Sequence, residues 1–334
     1  MIQMSDAIKI EPAAGRPRSS TSAAPAGPAF ARHDTFAPRY SWIKKGFDLA
    51  LREPDLFSRA DAPVVLGVGK NMVRAIRYWC HAFGVLETVT DAGGHVVARP
   101  TTFGLSLLAD DGGYDPFLED PASLWLLHWR LVNRPELATA WYYTFFLFGR
   151  TEFTVAALQE ALEAYVARTF PEARYSPSSF EKDASCLARM YAFQQAGGRP
   201  SEETFQSPFT ELGLLRRTLH GGYAFSIGPK LTLPDGVIAS TCLEFAASVS
   251  DARTIVLSRL VHEPGSPGMA FKLTESAVYA ALETVAARGI GVSLSEAAGV
   301  VQLAFDADPL QLAEKLRDEH YTRRTGRAGR QEAA

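Results

Sequence analysis

The stretch from Leu66 to Gly84, LGVGKNMVRAIRYWCHAFG, constrains this chain more than any other. Gly67 and Gly69 open it, Gly84 closes it, and one helical period runs unbroken between them. At about 100° per residue, Met72, Val73, Ile76, Trp79, Cys80 and Phe83 share one face. So apolar a face must be covered, which predicts a helix from Gly69 to Phe83 docked on a core. The opposite face carries Lys70, Asn71, Arg74, Arg77, Tyr78 and His81. Arg and Asn make paired hydrogen bonds to phosphates and base edges, so this face fits nucleic acid. The plainer alternative is an amphipathic helix whose polar side is merely solvated, and the flanking segments decide between the two.

Upstream, residues 40–51 read as one helix and residues 55–60 as a second, short one. Downstream, Leu86–Thr90 and His95–Thr101 are β-prone runs around the turn signal Asp91-Ala-Gly-Gly94. Helix, short helix, amphipathic helix and hairpin follow one another as in a winged helix-turn-helix. On this reading Lys70, Asn71, Arg74 and Arg77 contact double-stranded DNA. Arg99 contacts it from the wing, or is a solvated strand residue, and Lys44 and Lys45 on the first helix add to the cationic set.

A chain of 334 residues with net charge -3 is not coated in cations, so a nucleic-acid surface has to be local. Residues 29–108 hold ten Lys/Arg against seven Asp/Glu, while residues 109–121 hold five acids and no base. Cys80, Cys186 and Cys242 have no paired spacing, which fits neither a zinc knuckle nor a disulfide framework and is expected of a cytoplasmic protein. No apolar run reaches the roughly 18 residues of a membrane span, and the N-terminus lacks a signal-peptide layout.

The expected fold is mainly α (α+β). Residues 1–28, rich in Pro, Ser and Ala, read as a disordered tail, and 29–109 as the winged-helix domain. Residues 110–195 read as a helical domain, with helices near 123–131, 138–148, 154–169 and 177–191. Thr154 and Ser176 are its expected N-caps. Residues 196–320 read as a C-terminal α/β winged-helix-like part, and 321–334, with Arg323, Arg324, Arg327 and Arg330, as a basic flexible tail. In the C-terminal part, 223–228 and 230–236 alternate like paired strands, and 266–273 reads as a strand leading into a helix at 274–288.

Few clusters could carry chemistry. Gly67-Val-Gly-Lys-Asn71 is not a phosphate loop, because the glycine spacing is short and Asn71 stands where a magnesium-binding hydroxyl is needed. His33, Asp34 and Arg39 are the most chemistry-like group: a base or nucleophile beside cations that could stabilise a phosphorane-like transition state. The competing reading has Asp34 or Thr35 capping the first helix while His33 packs against Phe36. Asp115, Glu119 and Asp120 could ligate a divalent ion, but capping the helix that begins at Pro121 explains them more simply. His128 lies among apolar residues, as a satisfied core histidine would. No metal site is assigned. The cofactor is left open, with a divalent metal such as magnesium needed only if the activity is that of a nuclease.

Three motifs together carry a family resemblance. They are Phe30-x-x-His33-Asp-Thr-Phe-x-x-Arg39-x-x-Trp42-Ile-x-Lys45-Gly46, the Leu66–Trp79 stretch, and Asp115-Pro-Phe-Leu-Glu-Asp120 followed by Leu124-Trp-Leu-Leu-His-Trp129. The combination resembles a bacterial family long catalogued as of unknown function, encoded beside DNA-phosphorothioation genes. The likeness runs from about residue 30 to about residue 290. It implies a DNA nickase of an anti-phage, restriction–modification-like defence, opening one strand so that sulfur can enter the backbone. The implied partners are a cysteine desulfurase, an ATP pyrophosphatase-type sulfur transferase and an ATPase. No catalytic residue is carried over from the family. A non-catalytic DNA-binding adaptor or regulator recruiting those enzymes is the rival reading. The sequence admits a homodimer without requiring one.

Overall fold

In the computed structural model, which describes residues 27–193 and 206–325, the chain is mainly α-helical with three small antiparallel sheets. Residues 1–26 of the expected N-terminal tail and 326–334 of the basic tail lie outside the described residues.

The N-terminal elements follow the order read from the sequence. Helix α1 (Tyr40–Arg52) leads through a 3-10 turn at Leu56–Ser58 to α2 (Ala62–Leu66) and α3 (Lys70–Ala82). A hairpin of β1 (Leu86–Thr90) and β2 (Val96–Pro100) and then α4 (Thr102–Leu108) complete the unit. Gly67 ends α2 in the left-handed region, at φ 62°, so that α3 can set off three residues later in a new direction. Val73, Ile76, Trp79 and Cys80 are buried as the period requires. Helix α1 crosses α3 at Gly46, where an added Cβ would lie 2.6 Å from Cys80 Sγ and 2.8 Å from Ile76 Cγ2.

The acidic connector is a capping device. The Asp115 carboxylate accepts from the backbone N–H of Glu119 and Asp120 and from the Ser123 hydroxyl. Asp120 accepts from the Ala122 N–H at the start of α5 (Pro121–Val132). His128, fully buried, pairs through Nδ1 with the Tyr191 hydroxyl and through Nε2 with the Ala270 carbonyl. Helix α6 (Thr139–Tyr142) continues as a π-helical turn, Tyr143–Leu147, where the sequence predicts one unbroken α-helix. Next come β3 (Glu152–Phe153), α7 (Val155–Thr169) and α8 (Pro177–Tyr191). Thr154 caps α7 through the Ala157 N–H. Ser176 holds the N-cap position of α8, but its hydroxyl pairs with those of Ser178 and Ser179 and not with a backbone amide.

The remaining chain forms β4 (Leu215–Arg217), β5 (Tyr223–Phe225), α9 (Asp235–Val249), β6 (Thr254–Val256), α10 (Leu257–His262), α11 (Pro267–Phe271), α12 (Glu275–Ala286), β7 (Val292–Ala297), β8 (Val300–Phe305) and α13 (Pro309–Thr325). Two sequence expectations fail here. Residues 230–236 are not the partner strand of 223–228, for β5 pairs with β3 and β4. Pro229 and Pro234 lack the N–H a ladder needs, and the Lys230 ammonium folds its segment back by donating to the Ser226 and Gly228 carbonyls. Residues 266–273 are not a strand either. Ser266 accepts from the Met269 N–H with Pro267 in the first helical position, which starts α11 instead.

Both three-stranded sheets share one layout. Order β3-β5-β4 brackets α7 and α8, and order β6-β8-β7 brackets α10 to α12. In the N-terminal unit a single bond, Ala98 N–H to Pro54 O, stands where a third strand would lie beside β2. Buried apolar residues from Phe30 to Tyr321 form one continuous cluster.

Candidate nucleic-acid interface

Helix α3 presents its polar face unevenly. Lys70, Asn71 and Arg74, in its first turns, are exposed. Towards the C-terminal end the side chains are spent inside the protein. The Tyr78 hydroxyl donates to Leu137 O, and the His81 ring engages Arg77 O and the Thr88 hydroxyl. Burial holds the His81 imidazole below its usual range. Arg77 is half-buried. The sequence period thus names the right face, while neighbouring chain decides which half of it meets solvent.

That neighbouring chain is the strap of residues 28–36. Ala29 N–H donates to the Thr139 hydroxyl, Ala31 N–H to Asp183, Tyr175 to Pro28 O and Arg189 to Thr35 O. His33 is its anchor: fully buried, with Nε2 2.9 Å from Asp183 Oδ1 and the ring stacked on Trp79. Tyr78 and Trp141 close on it edge-first, in place of the expected Phe36. Burial opposes charge on this imidazole, but Cys186 and the Asp183 carboxylate outweigh it and push it up to about 10. Asp34 and Thr35 sit in the left-handed region, at φ 46° and 68°, and neither caps α1; the N-cap is Arg39, extended and without a capping side chain.

His33, Asp34 and Arg39 therefore direct their side chains to three different partners. His33 faces Asp183, Asp34 lies 3.8 Å from Arg74, and Arg39 lies over the Trp42 ring. Asp34, Arg32, Arg74 and Arg77 line a cleft of about 520 Å³ with Tyr78 and Glu136. Arg32 and Glu136 are absent from the sequence-derived set, and so is Asp183, because nothing local in the sequence couples them to α3.

The other proposed contacts differ in how available they are. Arg99 is exposed on β2 opposite Glu87. The Lys45 ammonium donates to Leu66 O. Lys44 is held between Asp48 and Asp110; burial works against its charge, and these carboxylates outweigh it. Among the described residues no three His, Cys, Asp or Glu side chains converge as a metal site. No helix among them is long and apolar enough to cross a membrane. The three cysteines are free and buried.

Residues 30–321 match the family described as "Protein of unknown function (DUF4007)", and the chain belongs to that family. Two solved structures are similar to it at 38% identity over 90% of each chain. They are described as "Magnesium ion-bound SspB crystal structure" and "SspB crystal structure", with TM-scores of 0.83 and 0.82. A comparison with curated proteins found no match.

Proposed function

We propose that this protein binds double-stranded DNA through a winged helix-turn-helix made of α1–α3 and the β1–β2 wing, and nicks one strand during phosphorothioate modification. The likeness to SspB supports the setting. The observation that carries DNA binding is the outward-facing trio Lys70, Asn71 and Arg74 on the first turns of α3. A recognition helix reads bases with its N-terminal residues. Arg77 lines the adjoining cleft, Arg99 is exposed on the wing, Lys45 contributes from α1, and Lys44, held between two carboxylates, contributes least. Within the chemical cluster Asp34 is the member on the cleft, and Arg39 stands apart from it at the start of α1, over the Trp42 ring. His33 is a positioning residue that fixes the strap carrying Asp34. The sulfur-transfer enzymes remain the proposed partners.

One observation favours the second reading, a non-catalytic adaptor recruiting those enzymes: the most chemistry-like histidine is sealed in the core. A supercoiled-plasmid assay, with and without magnesium, separates the two. Conversion to open circles supports the nickase, whereas binding without relaxation supports the adaptor. Replacing both Arg74 and Arg77 with Ala is expected to lower the salt dependence of binding by about two phosphate contacts. Unchanged binding removes α3 from the interface.

A further inference from the structure

From Leu212 to Pro234 the chain has no acidic residue, and it carries Arg216, Arg217, His220 and Lys230. The β4–β5 hairpin displays the first three. Arg216 stands opposite Ala224 and Arg217 opposite Tyr223, with both arginines exposed and the Arg217 guanidinium over the Tyr223 ring. The tip is a closed loop and not a loose end. Thr218 N–H donates to Gly222 O, Gly221 N–H to Thr218 O, and Gly222 N–H to the Thr218 hydroxyl. On that loop Leu219 is 100% exposed. Lys230 turns inward and stiffens the base of the hairpin through the Ser226 and Gly228 carbonyls.

An apolar side chain held out in water by a hydrogen-bonded tip has no role within the monomer. Flanked by cations in an acid-free segment, it has the make-up of elements that enter the minor groove, where an apolar wedge partly unstacks a base step and basic groups meet the phosphates. An anionic lipid surface also attracts cations beside an apolar tip, but one leucine buries too little apolar area to anchor there, whereas a single apolar side chain between two arginines matches one base step and its phosphates. The strap joins α8, against which β4 packs, to α3, so hairpin and recognition helix belong to one packed body.

We propose that the β4–β5 hairpin is a second DNA-contacting element, with Leu219 wedging a minor-groove base step and Arg216 and Arg217 on the flanking phosphates. This rests on the DNA-binding reading above. The test uses the full-length protein with duplexes carrying 2-aminopurine at A·T steps, together with salt titrations. Wild type is expected to raise the fluorescence, and Leu219→Asp to abolish that rise without shifting the melting temperature, since the side chain makes no internal contact. Arg216→Ala is expected to lower the salt slope by about 1. If wild type binds duplex while the probe stays dark, or if Leu219→Asp behaves as wild type, the wedge is overturned and the α3 interface stands. If wild type binds no duplex, both fall.

Discussion

His33 and Asp183 stand 150 positions apart, and the buried pair they make ties strap to helix. An imidazole raised from 6.5 to about 10 by folding stabilises the protein fully below pH 6.5, and that contribution is lost as pH climbs towards 10. The slope is at most about 1.4 kcal/mol per pH unit. Lys272, lowered to about 7 by burial, works in the opposite sense over the same range, so the comparison has to be made against a variant. Urea denaturation of wild type and His33→Gln between pH 6.5 and 10 is expected to give converging stabilities, and parallel curves would refute the charged pair. The sequence offers His33 as a candidate but not its partner, because nothing periodic links the strap to a helix so far along the chain.

At the level of elements, legibility followed the strength of local signals. Helices α1, α3, α5, α7 and α8 were readable from apolar spacing and caps, and the β1–β2 hairpin from its Asp-Ala-Gly-Gly turn. Strands β4, β7 and β8 were not, for β4 is three residues long, the alternation of β7 covers only Val292-Ser-Leu-Ser295, and β8 does not alternate. At 266–273 the apolar run suggests a strand, although Ser266 and Pro267 are a helix start. The acidic connector is legible as a cap, and its strength can be measured. Removing the Asp115 carboxylate leaves two amides without their acceptor and the Ser123 hydroxyl with Tyr321 alone. Asp115→Ala is expected to lose about 1–3 kcal/mol in thermal denaturation, and Asp120→Ala, which removes the capping bond to Ala122 and the carboxylate that holds His320, is expected to lose a similar amount. An unchanged melting temperature in Asp115→Ala would contradict the capping role.

Across the whole molecule, polar joints buried between distant elements hold the units together. Glu244 on α9 accepts from Trp129 and pairs with Arg130 on α5 and with Arg317 on α13. Burial alone would raise its carboxyl, but the two guanidiniums outweigh it and hold it low. Its stabilisation is therefore present at neutral pH and is lost as the solution is acidified through that lowered value. Glu244→Gln keeps the Trp129 acceptor and removes the charge. We expect faster hydrogen exchange along α13 and a stability lower by about 1–3 kcal/mol at pH 7, discounted because both arginines reach solvent. Unchanged exchange in α13 would show that the helix is held by apolar packing alone. None of these pairings was legible beforehand, because charge patterning along one helix does not reveal the helix that answers it.

The strap also imposes an order on biosynthesis. His33 leaves the ribosome 150 residues before Asp183, which at about 5–20 residues per second is a delay on the order of ten seconds. During that interval Trp79 and then Trp141 emerge, and with the histidine between them they wait for the carboxylate that completes their enclosure. A nascent chain in that condition offers an aromatic surface to chaperones, so protein yield in the cell should depend on how fast the ribosome travels from the first unit to the second.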